Sequence, residues 1–300
     1  MFKISWHELY CHPLPELHRF PMEKYNLLPQ QLMHEGVISI SQLICPIAVR
    51  DDIILLTHSE DYLNKLNHLN LNAAEIRRTG FPLSAELVIR EKIIMQGTID
   101  ASLAALNDGI GFNIAGGTHH AFTDRGEGFC LLNDIAIAAN YLLKAKLVEK
   151  ILIVDLDVHQ GNGTAQIFEN VSQVFTFSMH GKKNYPLRKE QSDLDIELDD
   201  FTDDKTYLHL LEMHLNEIIL QIKPNFIFYQ AGVDVLADDK LGRLSLSIEG
   251  CKARDTIVLD VCKRNNIPLT VTMGGGYAPN VNTIVNAHSN TFRIANDLYF

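Results

Sequence analysis

Three hundred residues suit one large α/β domain or two small ones, and 46% hydrophobic with 21% charged residues is an ordinary balance for a soluble globular chain. The formal net charge of -11 argues against a coat for nucleic acid or anionic lipid, without excluding a basic-tailed peptide as a substrate. The leading residues hold no apolar signal core and no run reaches about 18 apolar residues, so neither a leader nor a membrane-spanning helix is expected. Cys11, Cys45, Cys130, Cys251 and Cys262 are scattered and form no CxxC, which reads as reduced thiols of a cytoplasmic protein. Basic pairs such as Arg77-Arg78 and Lys182-Lys183 are too short for a phosphate track.

In chain order, apolar runs predict strands at Lys3–Trp6, Ile53–Leu56, Phe112–Ala115, Ile151–Val154, Val174–Ser178, Phe226–Gln230 and Leu269–Thr272. Amphipathic stretches predict helices over 84–107, 133–147, 204–222 and 247–265, with Ser84 and Asn133 as caps. No repeat or low-complexity linker interrupts them. Strand–helix alternation predicts a parallel sheet with helices on both faces, and residues 1–300 read as one domain.

The run ILIVDLDVHQGNG, residues 151–163, carries the most chemistry. Alternate side chains of an extended segment share a side, so Asp155, Asp157 and His159 leave the strand end together. Carboxylate plus imidazole is ordinary zinc-ligand chemistry, although Asp and Gly also simply end strands. Three other strands end in small residues and then polar ones: Gly116-Gly117-Thr118-His119-His120, Ala231-Gly232-Val233-Asp234 and Met273-Gly274-Gly275-Gly276-Tyr277. Carboxyl ends of parallel strands share one edge, where ligands bind. These segments are therefore expected to meet in one crevice. Asp234 beside Asp157 and His159 would complete three protein ligands and leave open positions, as a catalytic zinc requires. Two imidazoles there suit proton transfer near neutral pH. Gly274–Gly276 lacks the Lys-Ser/Thr of a phosphate loop.

Together GGTHHAF, GFCLLND, VDLDVHQGNG, AGVDVLADDKLGRLSLS and MGGGY resemble the zinc-dependent histone deacetylase family, in its order and approximate spacing. The short chain, Asn162 where class I members carry Asp, and the segment SMHGKKNYPLRKEQSDLDIEL look most like the class IV branch and its bacterial relatives. The resemblance implies an open α/β fold of the arginase–deacetylase type with an eight-stranded parallel sheet. It implies hydrolysis of N-acyl-lysine amides, acetyl or long fatty acyl, in a protein or peptide. Zinc, or iron(II), would sit on Asp157, His159 and Asp234, polarising the carbonyl and activating water. His120 matches the general base, His119 its partner and Asp155 the carboxylate orienting His119. Asn162 stands where the second dyad carboxylate would be, so a lower His120 pKa is expected. Tyr277 matches the oxyanion donor.

Gly128, Phe129 and Leu241 resemble substrate-tunnel positions, and Arg19 resembles an arginine lining an internal product channel. Asp155, Asp157, His159, Ser178 and Met179 match a structural potassium site, and Phe168, Val171 and Val174 a second. The family's rim aspartate has no clear match, and the loop Arg77–Pro82 lies in its place. Neither nucleic acid nor membrane is expected as a partner. An acetylpolyamine amidohydrolase, acting on a small acylated amine, would need an acidic, constricted entrance. A binuclear manganese ureohydrolase would need a second ligand set. A zinc-containing binding protein without catalysis would have lost Tyr277, the dyad or a ligand. The sequence does not fix the oligomeric state.

Overall fold

The computed structural model describes residues 2–300. The first half runs β1 (Lys3–Ser5), α1 (Lys24–His34), β2 (Leu43–Ile44), α2 (Asp51–Ile54), α3 (Glu60–Asn67), α4 (Ala73–Thr79), α5 (Ala85–Asp108), β3 (Ile110–Asn113) and α6 (Asp134–Lys144). The second half runs β4 (Ile151–Asp155), α7 (Asn162–Phe168), β5 (Val174–Gly181), β6 (Leu194–Leu198), α8 (Asp204–Ile222), β7 (Phe226–Gln230), α9 (Ile248–Arg264), β8 (Leu269–Thr272) and α10 (Val281–Tyr299).

The eight strands form one sheet in the order β2-β1-β3-β8-β7-β4-β5-β6. Every pairing is parallel. This is the α/β architecture expected from strand–helix alternation. Strands β3, β4, β7 and β8 are buried along their whole length, which explains why β4 and β7 read as nearly unbroken apolar runs rather than alternating ones. Edge strand β6 is mostly half-buried. Helix α5 packs on β1, β3 and β8, while α9 lies between α8 and α10, and α10 packs on α1.

The expected caps are present. The Ser84 hydroxyl accepts from Leu87 N–H at 3.1 Å, and the Asn133 amide oxygen accepts from Ala136 N–H at 3.0 Å.

One expected strand is not a strand. Ile53–Leu56 belongs to the end of α2 and the turn after it. Asp51 and Asp52 occupy the first turn of that helix, where carboxylates favour helical backbone. A four-residue apolar run cannot distinguish the two states. The neighbour of β1 on that side is the two-residue β2, with Ile4 opposite Leu43. The edge strand β6 and the helices α1 and α10 were not among the predicted elements.

The order β3-β8-β7-β4 places four consecutive strands at the centre of the sheet. These are the four whose carboxyl ends carry the candidate residues.

Candidate active site

The segments after β3, β8, β7 and β4 do meet. Asp157, His159 and Asp234 each bring a ligand atom to within 4.8 Å of the others, and all three are buried. No other trio of ligating side chains among the described residues comes so close. Backbone donors fix the two carboxylates. Asp157 accepts from His159 N–H at 3.0 Å and from Gly275 N–H at 2.9 Å, and Asp234 accepts from Val158 N–H at 3.0 Å. A Cβ on Gly275 would overlap the Asp234 carboxylate, so the glycine run lets the backbone pass the ligand pair.

Burial, then the Asp157 charge, pushes Asp234 up to about 7. Burial opposes protonation of His159, but hydrogen bonds to Asp157 and Asp234 outweigh it and carry the imidazole to about 10. Its Nδ1 sits 3.0 Å from Asp157 and 3.1 Å from Asp234. Two buried carboxylates and an imidazole within this reach of one another could hold a metal ion.

The paired histidines have opposite surroundings. His119 Nδ1–H donates to Asp155 Oδ2 at 2.7 Å. Burial alone would lower its pKa; the Asp155 and Asp157 charges overcome that and raise it to about 9. His120 Nδ1–H donates to Asn162 Oδ1 at 2.6 Å. Burial and the neighbouring His119 hold His120 well below the usual imidazole range, and an uncharged amide does little to restore it. The two rings lie 4.2 Å apart between centroids.

Tyr277 leaves the glycine run with its N–H donating to Asp239 Oδ2 at 2.6 Å. Its ring faces His159 edge-on at 6.5 Å and packs near Phe20 and Phe129. Burial and the Asp234 charge keep the phenol protonated. Behind it lies Lys24, on α1, which is buried and donates to Gly274 O at 2.9 Å. Burial lowers this ammonium to about 8. Its Nζ is 5.9 Å from the centre of the Tyr277 ring.

Two cavities meet at this point. An outer cup opens to solvent, and a smaller inner cavity lies beyond it. His120, Gly128, Phe129, His159 and Tyr277 line both and so form the neck. Gly128 has φ +53°, and a Cβ there would stand 2.7 Å from the His120 ring. Leu241 lines the cup. Tyr185 lines it too, with its ring edge-on to His120 at 5.0 Å. It was missed because a Tyr-Pro pair reads only as a turn.

Arg19 is a correction. It does not line the inner cavity; it is exposed in the cup, with its guanidinium 5.0 Å from the centre of the Phe129 ring. The adjacent Phe20 turns inward onto Phe81 and Phe129, which sends Arg19 outward. The arginine of the inner cavity is Arg90 of α5. It is buried, donates to Tyr10 O at 2.8 Å and pairs with buried Glu91.

The residues matched to cation sites also group. Asp155 pairs with Ser178 across β4 and β5, with Met179 next on β5. Phe168, Val171 and Val174 bound two successive turns, in which Phe168 O accepts from Val171 N–H and Val171 O from Val174 N–H, both at 2.9 Å.

The histone deacetylase domain model matches residues 18–292. The chain belongs to the histone deacetylase family. An uncharacterised protein of Picosynechococcus sp. is 43% identical over 298 residues, covering 99% of each chain. Histone deacetylase 2 of Arabidopsis thaliana is 29% identical over 88% of this chain and 70% of its own length. Acetoin utilization protein AcuC of Staphylococcus aureus is 28% identical over 77% of this chain and 65% of its own. Among solved structures, an HDAC homolog from Aquifex aeolicus superposes with a TM-score of 0.82 at 24% identity, covering 97% of this chain and 82% of that one. The HDA15 HD domain does so with 0.84 at 20% identity, covering 99% and 88%. These two superpositions establish the histone deacetylase fold. Family membership supports hydrolysis of the deacetylase type. No helix among the described residues is long and apolar enough to cross a membrane.

Within this family frame the rim stands out. Among the described residues, no carboxylate lines the outer cup. The end of α4 lies on that side, with Arg78 O and Thr79 O accepting from Gly128 N–H at 3.0 Å and Phe129 N–H at 2.8 Å.

Proposed function

We propose that this protein hydrolyses N-acyl-lysine amides, with a divalent ion, zinc foremost, on Asp157, His159 and Asp234. The observation that carries the reading is the neck. The candidate base, a candidate ligand and the candidate oxyanion donor are among the five residues shared by the two cavities. A lysine stem in the outer cup and an acyl group in the inner cavity bring the scissile amide to that junction.

A divalent ion held by Asp157, His159 and Asp234 would supply polarisation of the acyl carbonyl and acidification of a water. The chain's own groups supply the rest. Because His120 Nδ1–H is committed to Asn162, its Nε2 carries the lone pair. That nitrogen takes a proton from the attacking water and returns it to the amine as the C–N bond breaks. His119, held by Asp155, is the electrostatic partner. The Tyr277 hydroxyl donates to the acyl oxygen as charge develops. Gly128, Phe129 and Leu241 flank the lysine stem. Arg90, in the role sequence suggested for Arg19, offers a cation to the released carboxylate. The Asp155–Met179 boundary and the Phe168–Val174 turn would hold structural potassium. In this reading residues 1–300 act as one cytoplasmic catalytic domain nearest class IV.

Three measurements check this. Zinc-loaded protein is incubated with matched lysine peptides bearing acetyl, octanoyl or myristoyl groups, and with acetylspermidine, and products are read by mass spectrometry. Peptide turnover is expected; acetylspermidine turnover alone would move the activity to polyamines. Saturating zinc is expected to raise the melting temperature by about 5 °C, since ligand at about 100 times its Kd adds about 2.7 kcal/mol. A chelator should reverse the shift, and an unchanged melting curve would contradict the ligand set. Asn162→Asp places a carboxylate on His120 and raises its pKa. The base must be neutral to act, so the acid limb of kcat/KM is expected to move to higher pH. A limb that stayed or moved lower would remove His120 from the role of base.

A further inference from the structure

The chain is acidic overall, yet the mouth of its outer cup is not. Six of the 26 lysines and arginines line the cup: Arg19, Arg77, Arg78, Lys183, Lys240 and Arg243. None of the 37 aspartates and glutamates does. That local excess runs against a net charge of -11, so it is a property of the mouth rather than of the surface at large. Arg243 and Lys183 share Asp200, at 2.6 and 3.5 Å. Arg19, Arg77, Arg78 and Lys240 make no ion pair with a carboxylate among the described residues.

The six come from four separate segments: the turn before α1, the end of α4, the loop after β5 and the loop after β7. Hydrogen bonds hold these segments in place. Gly128 N–H donates to Arg78 O at 3.0 Å, and Asn184 Nδ2 donates to Leu241 O at 2.7 Å. All six cations are exposed. They therefore make no closed pocket for one small anion. They ring an entrance, which suits a chain that crosses it with negative charge on both sides of the inserted residue.

Building on the deacylase reading above, we propose that the mouth selects acyl-lysine embedded in acidic sequence, a peptide or protein segment with Asp or Glu flanking the modified lysine. Exposed ion pairs are individually weak. Selection is therefore the sum of several and depends on ionic strength. Basic tails and polyamines meet repulsion at the same entrance.

The test uses three acetyl-lysine peptides of equal length, with flanks of Asp and Glu, of Ser and Gly, or of Lys and Arg, and the zinc-loaded full chain. The acidic peptide is expected to exceed the basic one in kcat/KM by about tenfold or more at low salt, chiefly through KM, with the gap shrinking at high salt. Arg77→Gln with Arg78→Gln, or Lys240→Gln alone if the double variant folds poorly, should narrow the ratio. Equal kcat/KM for all three, or a preference for basic flanks, overturns the proposal. So does faster turnover of free Nε-acetyl-lysine than of the acidic peptide, which would make the anion a small molecule's. Anisotropy of the same peptides, labelled, on Tyr277→Phe protein reads the mouth without chemistry. Acidic preference in binding with no turnover by the unmodified chain would keep this proposal and remove the deacylase reading. Turnover without preference would do the reverse.

Discussion

Tyr277→Phe is expected to lower kcat on an acyl-lysine peptide by about 10²–10³, the cost of removing one oxyanion donor. The substitution deletes a single oxygen. The ring contacts to Phe20, Phe129 and His159 remain available to phenylalanine. The backbone is held independently, by the Tyr277 N–H on Asp239 and the Lys24 ammonium on Gly274 O. Fold and metal content should therefore be unchanged, and KM should move little, because the lost bond matters only as charge develops on the acyl oxygen. Steady-state kinetics with metal analysis of the same sample checks this. A fall of less than tenfold, or one confined to KM, would mean the phenol binds substrate rather than stabilising the transition state.

Arg254→Leu is expected to cost about 3–5 kcal/mol of stability, the range for removing one partner of a buried ion pair. Arg254 is fully buried on α9. It pairs with Asp255 at 2.7 Å and donates to Leu156 O at 3.2 Å and Gly232 O at 2.5 Å. Those carbonyls precede Asp157 and Asp234, so one guanidinium ties together the two loops that carry the candidate ligands. Without it, the Asp255 carboxylate keeps only Tyr229 and Thr291 as hydrogen-bond donors, at 2.5 and 2.6 Å. Urea unfolding of the single variant and of Arg254→Leu/Asp255→Leu separates the causes. The double variant should be less destabilised than the single one, because no charge is left unpaired. A single variant within 1 kcal/mol of the parent would show that the pair is not a structural keystone.

The convergence of Asp157, His159, Asp234, the histidine pair and Tyr277 was legible because each lies just beyond the end of an apolar strand. A parallel sheet sends all such ends to one edge. Their order β3-β8-β7-β4 was not legible, since strand adjacency depends on which crossovers the chain takes. Arg90, Arg254 and Lys24 were missed for a different reason. A cation on a helix normally reads as a solvated face, and its burial is decided by partners far away in sequence; Leu156, which accepts from Arg254, is 98 residues off. A signal did exist. Arg254 and Asp255 stand three and four residues after Cys251, on the stripe that continues through Val258 and Cys262, and all are buried. Arg90 and Glu91 interrupt the stripe from Leu87 to Ile94 in the same way. An ion pair inside an apolar stripe marks a buried pair. Arg19 was misplaced because the bend before α1 gives the inward place to Phe20 and leaves Arg19 exposed. The basic mouth was invisible because its cations are spread from residue 19 to residue 243.

The most direct test of the account is to strip the protein of metal, titrate zinc back, and follow hydrolysis of an acetyl-lysine peptide alongside bound zinc. Activity is predicted to rise from background to a plateau at one equivalent, and Asp234→Ala is predicted to abolish both the binding and the rise. Activity that needs two equivalents, or that survives complete removal of metal, would contradict a single ion on Asp157, His159 and Asp234 as the centre of the reaction.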